Sequence, residues 1–141
     1  MKLVLDTNVL IAALIARGLC ADLLEHCVLS HTIVASDFIF EELRGHLLRK
    51  FRYTSQEAGE AIGLLVSQIE IVRPTLFDRP VCRDPDDDQI LGTALSGQVK
   101  CIVTGDKDLL VIQRYEGIEV IRPSDFSGFE IKDFEDQSIF D

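Results

Sequence analysis

No apolar run in this sequence is long enough to cross a bilayer. The longest, VLIAALIA at 9–16, falls well short of the ~20 residues a spanning helix needs. No cationic stretch precedes it, so it does not read as a secretory signal, and a cytoplasmic location is the expectation. Cysteine is sparse and unpatterned. Cys20, Cys27, Cys82 and Cys101 form no C-x-x-C element and sit among apolar residues, which predicts reduced, packed thiols rather than a disulfide frame or a zinc site. His26, His31 and His46 show no H-x-x-x-H spacing, so no transition-metal site is expected. Positive charge is short as well: 14 Lys and Arg face 24 Asp and Glu, a net charge of −10. That excludes a broad basic surface coating nucleic acid, but not an enzyme that grips a phosphate backbone locally. Internal repeats and low-complexity linkers are also missing.

What is present suits one globular domain with a sizeable core: 141 residues, 47% hydrophobic and 27% charged. KLVLD at 2–6 reads as a buried strand turning straight into the helix of VLIAALIA, and residues 18–29 continue helically with Leu19, Leu23 and Cys27 on one face. HTIVAS at 31–36 is a second strand. Ser36 is set to cap a helix reaching about Phe51, with Phe40, Leu43, Leu47 and Phe51 as its apolar stripe. TSQE at 54–57 is a capping box that opens a further helix, ahead of a brief strand at 69–74. The second half repeats the rhythm: a helix over DQILGTALSG with Gly97 just past its end, a strand at 100–106, a short helix over DLLVIQRY, and a last strand at 118–123. Strands alternating with helices predict a parallel sheet covered on both faces. Residues 126–141 form an acidic tail with scattered phenylalanines, either docked or frayed.

The acids do not scatter. Four aspartates crowd into RDPDDDQ, where like charges repel. Asp is a good helix cap, and acids favour a helix N-terminus; a hard divalent cation equally requires such a cluster. Ligands of open parallel sheets sit beyond the carboxyl ends of the strands. Asp6 ends the first strand, Glu42 lies on the helix after the second, Asp88 begins the helix leading to the fourth, and Asp106 follows that strand, with Asp108 two residues on. Singly, each has an ordinary explanation as a cap, a turn residue or a surface glutamate. Their convergence on one sheet edge is what capping does not predict.

LVLDTNVLI, the EEL around residue 42, DPDDDQILGTA and IVTGDKDLL, in this order and spacing, resemble the PIN domain. Within it, the likeness is to the VapC-like ribonuclease toxins of bacterial toxin–antitoxin systems, over about residues 1–125. The resemblance implies a three-layer α/β/α fold with a central parallel sheet of four to five strands, usually homodimeric. It further implies divalent-metal-dependent cleavage of RNA, with Mg²⁺ or Mn²⁺ as cofactor and a possible cognate antitoxin as partner. Asp6, Glu42, Asp88 and Asp106 match the family's acidic quartet. Asp108 fits an outer acid, and Asn8 and Thr104 fit its flanking polar positions. The frame D-x-x-I/L-x-x-A selects Asp88, with Asp84, Asp86 and Asp87 close enough to compete.

Phosphodiester hydrolysis needs an activated water and a neutralised phosphate, which a carboxylate-bound Mg²⁺ or Mn²⁺ provides. Asp6 and Asp106 are assigned to direct ligation and Asp88 to a further or bridging position, while Glu42 either ligates or orients the attacking water. RGHLLRKFR at 44–52 supplies cations for RNA phosphates: His46, Arg49, Lys50 and Arg52, with Glu42, His46 and Arg49 on one helical face. A solvated basic patch is the alternative for that stretch. Rival readings of the whole chain are a catalytically silent PIN scaffold that binds protein and a Mg²⁺-binding phosphorelay receiver. A haloacid-dehalogenase phosphatase would want Asp where Asn8 stands, and a flap nuclease would need more acids and insertions.

Overall fold

A computed structural model describes the backbone of residues 1–140 and the side chains of residues 1–137. The first half runs as β1 (Lys2–Leu5), α1 (Thr7–Ile15), α2 (Leu19–Ser30), β2 (Thr32–Ala35), α3 (Asp37–Arg49), α4 (Ser55–Val66) and β3 (Ile69–Ile71). The second comprises α5 (Pro85–Gly97), β4 (Cys101–Val103), α6 (Lys107–Leu110), β5 (Arg114–Tyr115), β6 (Ile118–Ile121), a 3-10 turn (Pro123–Asp125) and α7 (Phe126–Phe140). Among the described residues, no single helix is long and apolar enough to cross a membrane.

The sheet order is β3-β2-β1-β4-β6-β5. The first five strands in that order are parallel, as expected; β5 is antiparallel to β6. Leu3, Val4 and Leu5 of β1, and Cys101, Ile102 and Val103 of β4, are all buried. Successive strand residues point to opposite faces, so both faces of the central strands are covered by helices. The result is the three-layer α/β/α arrangement.

The chain crosses from one half of the sheet to the other between β1 and β4. This is the topological switch point, where a crevice opens beyond the carboxyl ends of the strands. Asp6 follows β1 there, its amide donating to the Val103 carbonyl of β4 at 2.9 Å. A receiver domain has a different strand order, 2-1-3-4-5.

Local chemistry explains most boundaries. Thr54 and Glu57 form the expected capping box, with reciprocal bonds of 3.0 and 2.9 Å. Three expectations need correction. Ser36 precedes α3 but makes no side-chain cap; its buried hydroxyl instead shares a 2.8 Å hydrogen bond with Thr93 of α5. Gly97 is the last residue of α5, not the one beyond it, and Gln98 adopts the left-handed cap at φ 54°. A Cβ on Gly97 would come within 2.5 Å of Val34 Cγ1, so glycine there lets helix and sheet approach. The helix expected over DLLVIQRY stops at Leu110, and Arg114–Tyr115 becomes an edge strand. Glu116 (φ 50°) and Gly117 (φ 81°) make the tight turn into β6.

Residues 126–140 are helical. Phe126 is buried, Glu130 meets His26 and His31, and Asp133 pairs with Lys100 at 3.1 Å.

Candidate functional site

Asp6 sits where β1 ends and α1 begins, capping α1. Its Oδ1 accepts from the Thr7 amide at 2.8 Å, and its Oδ2 accepts from Thr104 Oγ1 at 2.8 Å and Asn8 Nδ2 at 3.2 Å. The Asn8 carbonyl oxygen accepts from the Gly105 amide at 3.1 Å, which ties the start of α1 to the loop after β4. Thr104 in turn accepts from the Asp106 amide at 2.9 Å. Asn8 and Thr104 thus hold two acids, one from each side of the switch point. Asp106 caps α6, accepting from the Asp108 amide at 3.0 Å.

Burial pushes the Asp6 carboxyl up to about 6, against the hydrogen bonds from Thr104 and Thr7, which favour its charged form. Glu42 and Asp106 add like-charge repulsion. These acids share an open cleft of about 350 Å³ with Thr7, Asn8 and Ile11 of α1 and with the amino end of α5.

From α5 the cleft takes Asp87, not Asp88. Asp88 turns away: its Oδ1 accepts from the Cys82 amide at 2.7 Å and its Oδ2 from the Val81 amide at 3.2 Å. Slight burial pushes its carboxyl up, but hydrogen bonds from Cys82 and Val81 outweigh it and hold Asp88 below the usual range. Its role in the structure is to fasten the loop before α5. Asp87 lies one residue earlier, about 100° around the helix, and is 5% exposed. Its Oδ2 and Thr7 Oγ1 are the buried side-chain polar atoms without a hydrogen-bond partner among the described residues, and both residues line the cleft. Burial first, then the charges of Asp106, Asp84, Asp6 and Asp108, push the Asp87 carboxyl up to about 7.

Asp84 caps α5 through the Asp86 amide, and both acids line the cleft. Asp108 is exposed and does not line it, although its charge is felt at Asp87.

From α3 and its C-cap come Glu42, His46 and Lys50, spaced i, i+4, i+8, with Phe51 one residue further on. Arg49 is not among them. Its guanidinium folds back over Gly45, where a Cβ would meet Nη2 at 2.5 Å. Arg52 adopts φ 56° in the turn after α3 and also lies outside the cleft lining. Phe51, placed by periodicity on the apolar stripe, is 38% exposed and lines the cleft instead.

Orphaned buried oxygens beside mutually repelling carboxylates mark a place for positive charge. The donors are all hard oxygens, the set that suits Mg²⁺ or Mn²⁺. Asp6, Glu42, Asp87 and Asp106 could hold such an ion.

No curated protein matches the sequence significantly. The backbone is similar to VapBC2 from Rickettsia felis, solved with a DNA fragment from the promoter, with a TM-score of 0.63 at 16% identity. That match covers 86% of this chain and 98% of the other. VapBC-1 from nontypeable Haemophilus influenzae gives 0.62 at 20% identity, covering 88% and 99%. At such identities the likeness is one of fold. The PIN-domain family model matches residues 2–108, from β1 into α6, and so spans the cleft acids from Asp6 to Asp106. The chain belongs to the PIN-domain family.

Proposed function

We propose that this chain is a divalent-metal-dependent endoribonuclease, with Asp6, Glu42, Asp87 and Asp106 as its metal-holding acids. The observation that carries the reading is the buried, unpartnered Asp87 carboxylate oxygen facing the charges of Asp6 and Asp106. Burying a carboxylate without a partner is costly, and a cation in the cleft removes that cost. Bound there, Mg²⁺ or Mn²⁺ acidifies water and neutralises the phosphate under attack.

The chain's own residues do the rest. Thr104 and Asn8 fix Asp6 and keep one oxygen edge of it oriented, and Asp108 adds negative potential from the rim. Lys50 and His46 engage RNA phosphates beside Glu42, and exposed Phe51 offers a ring on which a base stacks. Likeness in fold to VapBC proteins supports a toxin role with a cognate antitoxin as partner, and a homodimer is the assembly that the resemblance implies.

The test is cleavage of single-stranded RNA by purified protein with Mg²⁺, with Mn²⁺ and with chelator. Activity is expected only with metal, and lost in both Asp6→Asn and Asp87→Asn. Undiminished cleavage in chelator, or in either variant, would overturn the assignment.

A further inference from the structure

A second group of ligating side chains lies at the opposite edge of the sheet from the acidic cleft. His26 is on α2, His31 follows the end of α2, and Glu130 belongs to α7. His26 Nε2 lies 2.6 Å from Glu130 Oε2, and His31 Nε2 lies 2.5 Å from the same oxygen. The three ligand atoms fall within 4.8 Å of one another. His31 immediately precedes β2, whereas Asp6 immediately follows β1, and the two strands run parallel in register from Lys2 and Thr32. A strand of four residues separates the two edges by roughly 13 Å.

The rings are oriented before any ligand arrives. Phe126, 3% exposed, packs edgewise on both, at centroid distances of 6.4 Å from His26 and 5.8 Å from His31. The two imidazoles meet each other edgewise at 5.5 Å. Access remains open, because the His26 side chain is 47% exposed.

We propose that His26, His31 and Glu130 form a binding site for a zinc-type transition-metal dication, which clamps α7 onto α2. Two imidazole nitrogens and one carboxylate oxygen are a donor set for borderline ions, and hard Mg²⁺ is poorly served by it. Three protein ligands leave the fourth tetrahedral position open to water. With bonds of ~2.0–2.1 Å, tetrahedral ligand atoms stand about 3.3 Å apart, so the pairs now at hydrogen-bond distance open by less than an ångström.

The site is tested in the full-length chain carrying Asp6→Asn and Asp106→Asn, which weaken the cleft as a competing site. Zn²⁺ is titrated against a chromophoric chelator. One equivalent is expected to bind, a large excess of Mg²⁺ should not displace it, and Co²⁺ in its place should give the visible bands of a four-coordinate ion. Adding His26→Ala or Glu130→Gln should weaken binding at least tenfold and abolish the rise in Tm that Zn²⁺ causes in the parent. Because His26 is half-exposed, its variant carries the test even if Glu130→Gln loosens α7. Absence of binding, or binding unaltered by His26→Ala in a variant whose circular dichroism matches the parent, would overturn the proposal.

Discussion

Asp87 and Asp88 are adjacent acids with opposite fates, and substitution should separate them. Asp87→Asn removes a buried charge whose Oδ2 has no hydrogen-bond partner among the described residues, so RNA cleavage should fall at least a hundredfold while the metal-free protein gains stability. A gain of roughly 1 kcal/mol would raise Tm by about 3–5 °C. Asp88→Ala takes away the acceptor for two backbone amides, and should cost roughly 1–3 kcal/mol while leaving metal affinity close to the parent's. Thermal melts in chelator and metal titrations of both variants check this pair. The same acids set a pH dependence. Asp6 and Asp87 have folded-state pKa values of about 6 and about 7, above those of unfolded aspartate. The folded state therefore binds more protons than the unfolded state between about pH 4 and 7, and metal-free stability should fall as pH rises through that window. Melts in chelator across it should show the decline, flattened in the Asp87→Asn protein; a Tm that rises with pH would contradict it. The acidic cluster was legible in the sequence, as were the strand-end positions of Asp6 and Asp106. Which acid of DPDDD faces inward was not, because consecutive helix residues differ by about 100° and only the packing of α5 fixes the rotation.

Elements carry the next level of control. α3 and its C-cap present Glu42, His46 and Lys50 to the cleft, whereas Arg49 lies back over Gly45. If Lys50 meets an RNA phosphate, Lys50→Ala should make the plot of log affinity against log salt shallower by about 0.7 on a single strand. Arg49→Ala should change that slope much less. Binding by a cleavage-dead Asp6→Asn protein over a salt series measures both, and equal slopes for parent and Lys50→Ala would remove Lys50 from the interface. On the other side of the cleft, α5 is held by the loop before it. The Thr75 amide donates to the Gly92 carbonyl at 2.9 Å, and a Cβ on Gly92 would stand 2.4 Å from the Thr75 carbonyl oxygen. Backbone cannot yield as a side-chain tip can, so Gly92→Ala should destabilise by roughly 1–3 kcal/mol, seen as an earlier denaturation midpoint. The helical wheel gave α3 its buried stripe of Phe40, Leu43 and Leu47, but a wheel cannot see where the helix stops. Ending at Arg49 takes Phe51 off the stripe and into the cleft. β5 escaped notice for a related reason: it has two residues, and its turn is Glu-Gly rather than the more telling Asn-Gly.

At the scale of the whole molecule, parallel strands deliver acids from distant parts of the chain to one edge, and a protein of net charge −10 concentrates them there. Sequence alternation revealed the parallel part of that topology because each parallel strand is short, largely apolar and connected onward through a helix. The grouping of His26 and His31 with Glu130 stayed hidden because its third member comes from a helix 99 residues away, with no local spacing to betray it. Concentrating like charge costs folding free energy, which makes the fold itself a reporter of cation binding. A metal that binds only the folded state stabilises it by RT ln(1 + [M]/Kd), about 2.7 kcal/mol when the metal stands at a hundred times its Kd. Mg²⁺ or Mn²⁺ added to chelator-stripped protein should therefore raise Tm by several degrees, in proportion to the logarithm of concentration once the site is saturated. Asp87→Asn should begin from a higher metal-free Tm and gain less, so that the two melting curves converge at high metal. Monovalent salt at matched ionic strength separates site binding from screening: screening alone would lift parent and variant by amounts set by ionic strength, with no convergence. Parallel curves for the two proteins would mean that Asp87 is not where the cation sits.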